Sequence, residues 1–215
     1  MARKRQPQPM SMPAARRRRS QQPSVSNRGQ TSVIKYSSIG TNIASGATGV
    51  GTGGRKYVPG WPGSIVNTAG TSVVSYYSTA KFLPGTTIRW EPSVGFTTSG
   101  RVFVGFSDNP EVIAEMESLR AGDAAAQLVY GNLVKGMYDV VSFPVYQETD
   151  IHFPQRLRRK MFDVNVQLAN DVNVYDRSCQ QSLHVWVEGC PNNTTLGSLW
   201  FHDVVEVEGL HAVST

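Results

Sequence analysis

Charge is distributed very unevenly along this chain of 215 residues. Residues 1–90 contain 13 of its 21 Lys and Arg residues and none of its 16 acidic residues, so the first carboxylate is Glu91. With 8 bases and 16 acids, the remainder has a net charge of −8. So sharp a division predicts a basic tail joined to a near-neutral or acidic body. A body of this length can bury roughly two thirds of its surface in a single core, so we expect one domain and a tail.

The first segment, residues 1–36, is predicted to be a disordered basic region that binds single-stranded nucleic acid. It is rich in Arg, Gln, Pro and Ser and contains few residues that a core could bury. No aromatic residue lies between Arg3 and Arg28, so we expect contacts with phosphates rather than reading of bases. If about seven to nine cations contact phosphates, affinity should fall roughly 10³- to 10⁴-fold between about 50 and 200 mM salt. The predicted RNA-binding residues of this segment are Arg3, Lys4, Arg5, Arg16, Arg17, Arg18, Arg19, Arg28 and Lys35.

Basic runs are also typical of nuclear import signals, solubility tails and membrane-surface anchors. An anchor is disfavoured because nothing amphipathic accompanies the charges and the second residue is Ala2, not the glycine that myristoylation requires. No signal-peptide core follows MARKRQPQP, and no run reaches the ~20 apolar residues of a membrane span. We therefore expect no membrane partner.

A second basic cluster, RLRRK at residues 156–160, opens a predicted strand. One interpretation is a loop or sheet edge that charge protects against pairing with other chains. The other is a basic patch on the inner surface of an assembly, where it meets the same polyanion as the tail. On the second interpretation, the RNA-binding residues also include Arg156, Arg158, Arg159 and Lys160.

The second segment, residues 37–63, is rich in Gly, Ser and Thr and has few large side chains. Glycine contributes nothing to a core and permits many backbone conformations, so this composition predicts a flexible arm. Its isolated apolar residues, Ile39, Ile43 and Val50, could form short strands with a partner but not alone.

The third segment, residues 64–215, is predicted to be an antiparallel β-sandwich or barrel. Short runs of β-branched and aromatic residues are separated by Gly, Pro, Asn or Asp at the spacing of such folds. In SLHVWVEG, residues 182–189, and again in DVVEVEG, residues 203–209, every second residue is Leu or Val. This alternation predicts one buried and one solvent-facing side for both strands, with His184 exposed. Further predicted strands are TTIRW, GRVFVGFS, DVVSFPVY and KMFDVNVQL.

Two segments carry helix signals. PEVIAEMESLRAG, residues 110–122, starts with Pro110, has an acid in its first turn and ends on a glycine. DAAAQLVYGNL, residues 123–133, begins with Asp123, a favourable N-cap. We expect both helices to be short insertions in a β domain.

Nothing in the sequence indicates catalysis. The four histidines lack metal-ligand spacing, no nucleophile elbow is present, and GVGTGG lacks the flanking strand and helix of a phosphate-binding loop. Cys179 and Cys190 flank a strand and could form a disulfide across a hairpin, but two partly buried free thiols are expected in a reducing compartment. We therefore predict a protein that is not an enzyme.

Acidic residues cluster in FVGFSDNPE, where Asp108 and Glu111 follow a strand and begin a helix. Helix capping by Asp108 and the helix dipole acting on Glu111 would explain both without a metal. Alternatively, carboxylates three residues apart on one turn suit a hard cation such as Ca²⁺. Two carboxylates cannot complete six to eight ligands, so backbone, water or a neighbouring subunit would supply the others.

One stretch resembles a known family. WEPSVGFTTSGRVFVGFSDNPE, residues 90–111, preceded by FLPGTTIR, is similar to the shell domain of coat proteins from small plant RNA viruses of the tombusvirus, necrovirus and sobemovirus type. In that pattern a W-x-P-like turn, a T-S-G turn and a strand ending in an acidic loop follow in this order. The resemblance is specific over roughly residues 80 to 115 and looser over the rest of the body.

The resemblance implies an eight-stranded antiparallel jelly roll with short helical insertions, which self-assembles into an icosahedral shell around genomic single-stranded RNA. It implies a protein found in the virion, and in the host cytoplasm during assembly. It also implies an interface calcium site at Asp108 and Glu111, although the pattern usually has Asp at the second position. Because the sequence stops at residue 215, we expect it to resemble the members that have no protruding domain, and the small size also fits ourmiavirus-like coat proteins with non-icosahedral particles.

Two other functions are compatible with the sequence. A free RNA-binding protein, such as a silencing suppressor or movement factor, would carry the same tail on a β-sandwich and remain small in solution. A carbohydrate-binding jelly roll would need an aromatic-lined concave site, to which Trp90, Trp186 and Trp200 could contribute, although packing is their expected role.

Overall fold

The computed structural model describes most of the body and the strands that precede it. It covers the backbone of residues 24–28 and residues 31–57, 74, 76–154, 161–164 and 172–210. Two sets of predicted RNA-binding residues lie outside these ranges: Arg3, Lys4, Arg5, Arg16, Arg17, Arg18 and Arg19, and Arg156, Arg158, Arg159 and Lys160.

The first of two antiparallel sheets, sheet A, is built around one long strand. Its strands are β1 (Ser24–Arg28), β2 (Thr31–Ala44), β4 (Tyr77–Phe82), β5 (Thr87–Pro92), β8 (Thr149–His152), β9 (Phe162–Asp163) and β11 (Thr195–Leu210). The long strand, β11, pairs on one side with β2 and on the other with β4 and then β5. A hairpin partner, β1, extends the sheet beyond β2, while β9 pairs with β4 and β8 with β5.

The second sheet, sheet B, has four strands in the order β3, β10, β6 and β7, and every pair is antiparallel. They are β3 (Gly51–Tyr57), β6 (Arg101–Ser107), β7 (Val141–Pro144) and β10 (Gln181–Glu188). The two-sheet sandwich predicted from the patterning is therefore confirmed, and within the described ranges it comprises 11 strands.

The main core lies between the two sheets and takes its side chains from alternate positions of both, as two facing pleated surfaces require. Tyr57 of β3 is at its centre, with its ring packed edge-on against Phe82 at 5.0 Å and Phe153 at 4.7 Å between centroids. Trp90 is also fully buried here, and its indole N–H donates to the carbonyl of Val145 at 3.0 Å. Such aromatic contacts add about 0.5–1.5 kcal/mol per pair beyond the burial of apolar area.

One ion pair joins the two sheets through the core. A guanidinium nitrogen of Arg55 on β3 donates to the carboxylate of Asp203 on β11 at 2.8 Å, and both residues are buried. The guanidinium also stacks on Phe201, 3.9 Å from the ring centroid. Loss of either partner would leave a buried charge without compensation, which typically costs about 3–5 kcal/mol. The pair therefore depends on the correct facing of the two sheets.

The prediction of a flexible arm over residues 37–63 does not hold for residues 37–57. Residues 37–44 belong to β2, which pairs with β11, and residues 51–57 form β3, which pairs with β10. The backbone N–H and C=O groups of this segment form hydrogen bonds with β10 and β11, although its side chains are small. Residues 24–28 and 31–35, which belong to the segment predicted as disordered, likewise form the β1–β2 hairpin.

Glycine in this segment allows β3 to approach β2 closely. A Cβ at Gly53 would overlap Ile43, and a Cβ at Gly51 would overlap the carbonyl oxygen of Ala44. Both glycines lie on β3, which therefore approaches β2 more closely than a strand with larger residues could. The composition that suggested flexibility thus serves tight packing between strands.

Three helices lie among the described residues: α1 (Pro110–Ala121), α2 (Ala124–Gly136) and α3 (Val172–Ser178). The first two were predicted from sequence, and the third was not. Asp123 caps α2 as predicted, because its carboxylate accepts from the backbone N–H of Ala126 at 2.9 Å. None of the described helices is long and apolar enough to cross a membrane.

The helices α1 and α2 cover the outer face of sheet B. Trp186 of β10 packs against Met116 of α1 and against Tyr130 and Val134 of α2. The backbone of α2 contacts this ring so closely that a Cβ at Gly131 would overlap it. The predicted solvent-facing side of β10 is therefore wrong: His184 and Trp186 are buried because two helices cover them.

Candidate assembly surface and cation site

The acidic loop connects β6 to α1 as predicted, but the cap of the helix is a different residue. Asn109 is the N-cap, and its side-chain oxygen accepts from the backbone N–H of Glu111 at 3.0 Å. Pro110 is the first helical residue, and Glu111 lies in the first turn, where the helix dipole favours an acid. The capping interpretation of Asp108 is therefore wrong, and its exposed carboxylate is not used as the helix cap.

Asp108 shares a surface cavity with a second carboxylate that sequence reasoning missed. Asp139, from the turn between α2 and β7, lines the same cavity of about 150 Å³. The remaining lining residues are Phe106, Tyr138, Pro154 and Gln181. No local pattern relates Asp139 to Asp108, because they approach each other only when β7 pairs with β6.

The oxygen-rich chemistry of this cavity fits half of a hard-cation site. Carboxylates such as those of Asp108 and Asp139 are donors of the type that Ca²⁺ prefers, and Gln181 adds a residue with an amide oxygen to the lining. Glu111 lies one turn further along and is not among the lining residues. Within the described ranges no group of three or more Asp, Glu, His or Cys side chains could hold a metal ion. A complete coordination shell would therefore need oxygens from elsewhere, such as a neighbouring copy.

Of the predicted RNA-binding residues, the structure describes the side chain of Lys35 and the backbone of Arg28. Arg28 ends β1 opposite Thr31 of β2, in the hairpin at the edge of sheet A. Lys35 is exposed on β2 and points away from the core, between neighbours on β1 and β11. The chain segment that precedes residue 24 is thus joined to the sheet through its edge strand.

Other cations on the outer face of sheet A are paired with acids. Lys81 contacts Glu206 at 2.8 Å across β4 and β11. Arg89 contacts Glu148 at 3.1 Å and Asp150 at 2.8 Å, and its hydrogen bond lowers the pKa of Asp150. These pairs neutralise the charges of Lys81 and Arg89 on the body.

The contacts and burial of His184, His202 and the two cysteines are explained by packing of the fold. Burial lowers the pKa of His184 to about 4, and its ring lies within hydrogen-bond range of Ser182 and Tyr130. His202 is exposed on β11 and lies 2.7 Å from the Ser37 hydroxyl. Both cysteines are free and buried as expected, and burial raises the pKa of the Cys179 thiol to about 12.

Comparisons with known proteins give a consistent result. The viral coat protein (S domain) family profile matches residues 8–114. No curated protein sequence is similar enough to indicate a relative. Among solved structures, the chain is similar to tobacco necrosis virus (TM-score 0.65, 15% identity, 89% of this chain and 88% of that one). It is also similar to cucumber necrosis virus (TM-score 0.68, 14% identity, 94% and 58%) and mud crab tombus-like virus (TM-score 0.62, 14% identity, 91% and 94%).

The fold and these comparisons define a capsid shell protein with an antiparallel jelly-roll sandwich, which confirms the predicted fold class. The described ranges contain 11 strands where eight were expected, because β1, β2 and β3 arise from the segments predicted as tail and arm. The chain is a coat protein of a small positive-strand RNA virus, with residues 8–114 matching the S domain family, and it is therefore a structural component of a virion. The similar structures carry names that range from tobacco and cucumber to mud crab, so a plant host stays a prediction.

Proposed function

We propose that many copies of this coat protein assemble into an icosahedral shell, which packages genomic single-stranded RNA through the basic N-terminal tail. The observation that carries this proposal is the segregation of charge along the chain. No acid occurs before Glu91, whereas Lys81 and Arg89 on the outer face of sheet A are paired with acids. Phosphate binding would then be concentrated in the tail.

The attachment of the tail supports this role. It is joined in sequence to β1, the edge strand of sheet A. A polycation that has no aromatic residues can follow an irregular phosphate chain without a fixed register. The tail would therefore bind RNA of any sequence, with an affinity set by salt.

Sedimentation of the purified full chain, with and without RNA at moderate salt, tests the proposal. Absorbance at 260 and 280 nm across the boundary reports the RNA content. We expect a fast, uniform, RNA-rich boundary, and an RNA content that falls when Arg16, Arg17, Arg18 and Arg19 are changed to Gln. As a matched control, Lys81→Gln removes a body cation that is already paired and should leave the RNA content unchanged. A slow boundary at monomer or dimer size in every condition would instead favour a free RNA-binding protein.

We further propose that Ca²⁺ binds between subunits at the acidic loop, with Asp108 as one ligand. Asp139 is a second donor in the same cavity. Glu111, in the first turn of α1, remains a candidate ligand. Calcium neutralises carboxylates that would otherwise repel one another across an interface. No enzymatic step is involved in this function.

Chelation at neutral pH tests the calcium site. We expect EGTA to increase the hydrodynamic radius of assembled particles, and added CaCl₂ to reverse the change. Asp108→Asn and Asp139→Asn should each abolish the response to EGTA, while Glu111→Gln shows whether that residue also contributes. Assembled particles whose radius ignores EGTA would contradict the site without affecting the packaging proposal.

A further inference from the structure

Helix α2 has an exposed surface that is unusual for a soluble helix. Residues 124–134, AAAQLVYGNLV, contain no charged side chain. Solvent-facing helix surfaces normally carry charged and polar residues opposite their buried stripe. The absence of charge on both sides therefore requires an explanation that packing within one chain does not provide.

The buried stripe of α2 is fully accounted for. Tyr130 and Val134 pack against Trp186, and the Tyr130 hydroxyl donates to the carbonyl of Gly53 at 2.7 Å. Gly131 lies directly over the Trp186 ring. These contacts anchor the helix on sheet B and determine which side faces outward.

The outward side is apolar. Leu128 is 53% exposed, Val129 49% and Leu133 41%, and the small residues Ala125 and Gly136 lie on the same side. At 100° per residue these positions fall within one stripe along the helix. Asn132 is the one polar side chain within it. A continuous apolar stripe of this kind marks an interaction surface.

The stripe continues toward the acidic cavity. Two residues beyond the end of α2, Tyr138 is 87% exposed and lines the cavity that Asp108 and Asp139 share. An aromatic residue with an apolar body and a polar hydroxyl is typical of interface contacts. Apolar surface and carboxylates are therefore adjacent at one end of the domain.

We infer that the outward side of α2, together with Tyr138, is a contact surface for a second copy of this chain. The core of a protein–protein interface is depleted of charged residues and enriched in aromatic ones, as this surface is. A shell protein meets other copies of itself more than any other partner, so a second copy is the occupant that these observations favour. The inference rests on the proposed assembly and identifies one of the surfaces through which copies would make contact.

The test introduces charge into the stripe of the full-length protein. In Leu128→Glu/Leu133→Glu, two carboxylates would be buried in the contact, so we expect at least about a tenfold rise in the protein concentration needed for half-assembly. Sedimentation and electron microscopy measure assembly, near-ultraviolet circular dichroism reports folding, and filter binding reports the affinity of the tail for RNA. Val172→Glu is the matched control, because Val172 is 39% exposed at the start of α3 and receives the same substitution.

The outcomes separate this inference from the proposed function. Wild-type and Val172→Glu shells with a folded, RNA-binding, unassembled double variant would support the contact. Normal assembly of the double variant, or equal loss in both variants, would overturn it while leaving packaging intact. A wild-type protein that never assembles would overturn the proposed function itself. If the double variant does not fold, Leu128→Gln/Leu133→Gln provides the same comparison with neutral side chains.

Hydrogen exchange adds an independent readout that no substitution affects. Amides of residues 124–138 should exchange more slowly in wild-type particles than in particles dissociated by high salt. If they exchange equally in both states, and if the dissociated protein floats with phosphatidylcholine vesicles, the stripe binds lipid and the inference is wrong.

Discussion

Strands β10 and β11 have the same period-2 pattern, but the structure treats them differently. In β11 the alternation is real, because Val205 and Val207 face the core while Glu206 and His202 face outward. In β10 every residue except Glu188 is buried. Since α1 and α2 cover one sheet and leave the other open, the same sequence pattern produces two environments.

The difference also changes the chemistry of the polar residues. Trp186 on the covered face donates its indole N–H to the carboxylate of Glu188 at 2.8 Å, and His184 contacts Ser182. On the open face His202 contacts Ser37 but remains exposed. A buried polar group must find a partner within the protein, whereas an exposed one has water. The four predictions below test this contrast in unassembled protein, kept dilute at high salt.

The largest effect should come from Trp186→Ala. Removal of this ring takes away the contact between β10 and both helices, and such truncations cost about 3–5 kcal/mol. Urea unfolding measures the loss. Trp200→Ala, on the open face of β11, should cost about 1–2 kcal/mol because its ring is half-buried. Equal losses for the two tryptophans would contradict the distinction between the faces.

Protonation of His184 should destabilise the protein on acidification. Burial lowers its pKa from 6.5 to about 4, so the folded state binds fewer protons than the unfolded state between these values. Stability is therefore full above pH 6.5 and falls as the pH drops toward 4, by about 3 kcal/mol in total. Urea unfolding at several pH values measures this slope.

Two variants isolate the contribution of His184 to this slope. His184→Gln should flatten the profile between pH 6.5 and 4, and His202→Gln on the open face should not change it. Glu117 and Arg120 lie near His184 on α1, and the Glu117 pKa is itself lowered. Glu117 would affect the profile mainly below its ordinary value of 4.5, so a slope that persists in His184→Gln above that pH would refute the assignment.

Gly131→Ala tests how tightly α2 packs on the covered sheet. The added Cβ would overlap the Trp186 ring, so the helix must shift, at a cost of about 1–3 kcal/mol. Gly136→Ala is the matched control in the same helix, because no atom lies within 4 Å of its added Cβ. The control should be neutral or slightly stabilising. If Gly131→Ala is as stable as the control in thermal unfolding, the packing described between α2 and β10 is incorrect.

The smallest effect concerns the entrance to α1. Asn109→Ala removes the side chain that accepts from the N–H of Glu111 and should cost about 1 kcal/mol. Asp108→Asn should cost less than Asn109→Ala, since Asp108 is not the cap. Calorimetry of both variants measures the two losses. A larger loss for Asp108→Asn than for Asn109→Ala would contradict the assignment of Asn109 as the cap.

Much of the fold was predictable because it depends on local patterns. Both α1 and α2 start where Pro110 and Asp123 predict, although α2 continues to Gly136, beyond its predicted end. Strands β6 and β10 coincide with predicted strands, and β11 contains one. Strand β3 was missed, because its glycines read as flexible until pairing with β10 supplies the hydrogen bonds. Helix α3 was missed as well, and we find no sequence feature that would have identified it.

The candidate cation site was likewise only partly predictable from the sequence. Asp108 and Glu111 are neighbours in sequence and were found from their spacing. Asp139 approaches Asp108 only through the pairing of β7 with β6, and no pattern along the chain encodes that approach. Asn109, rather than Asp108, is the cap because the backbone enters the helix at that residue.

The amino-acid sequence by itself determined the periodicity of the strands, the helix starts, the segregation of charge, and hence the class of fold. These properties depend on residues a few positions apart. The tertiary structure alone decided that β10 is covered and β11 is open, that Arg55 meets Asp203, and that α2 presents an uncharged stripe outward. Whether the second face of a strand is buried depends on which element packs on it, and segments far apart in the sequence determine that packing.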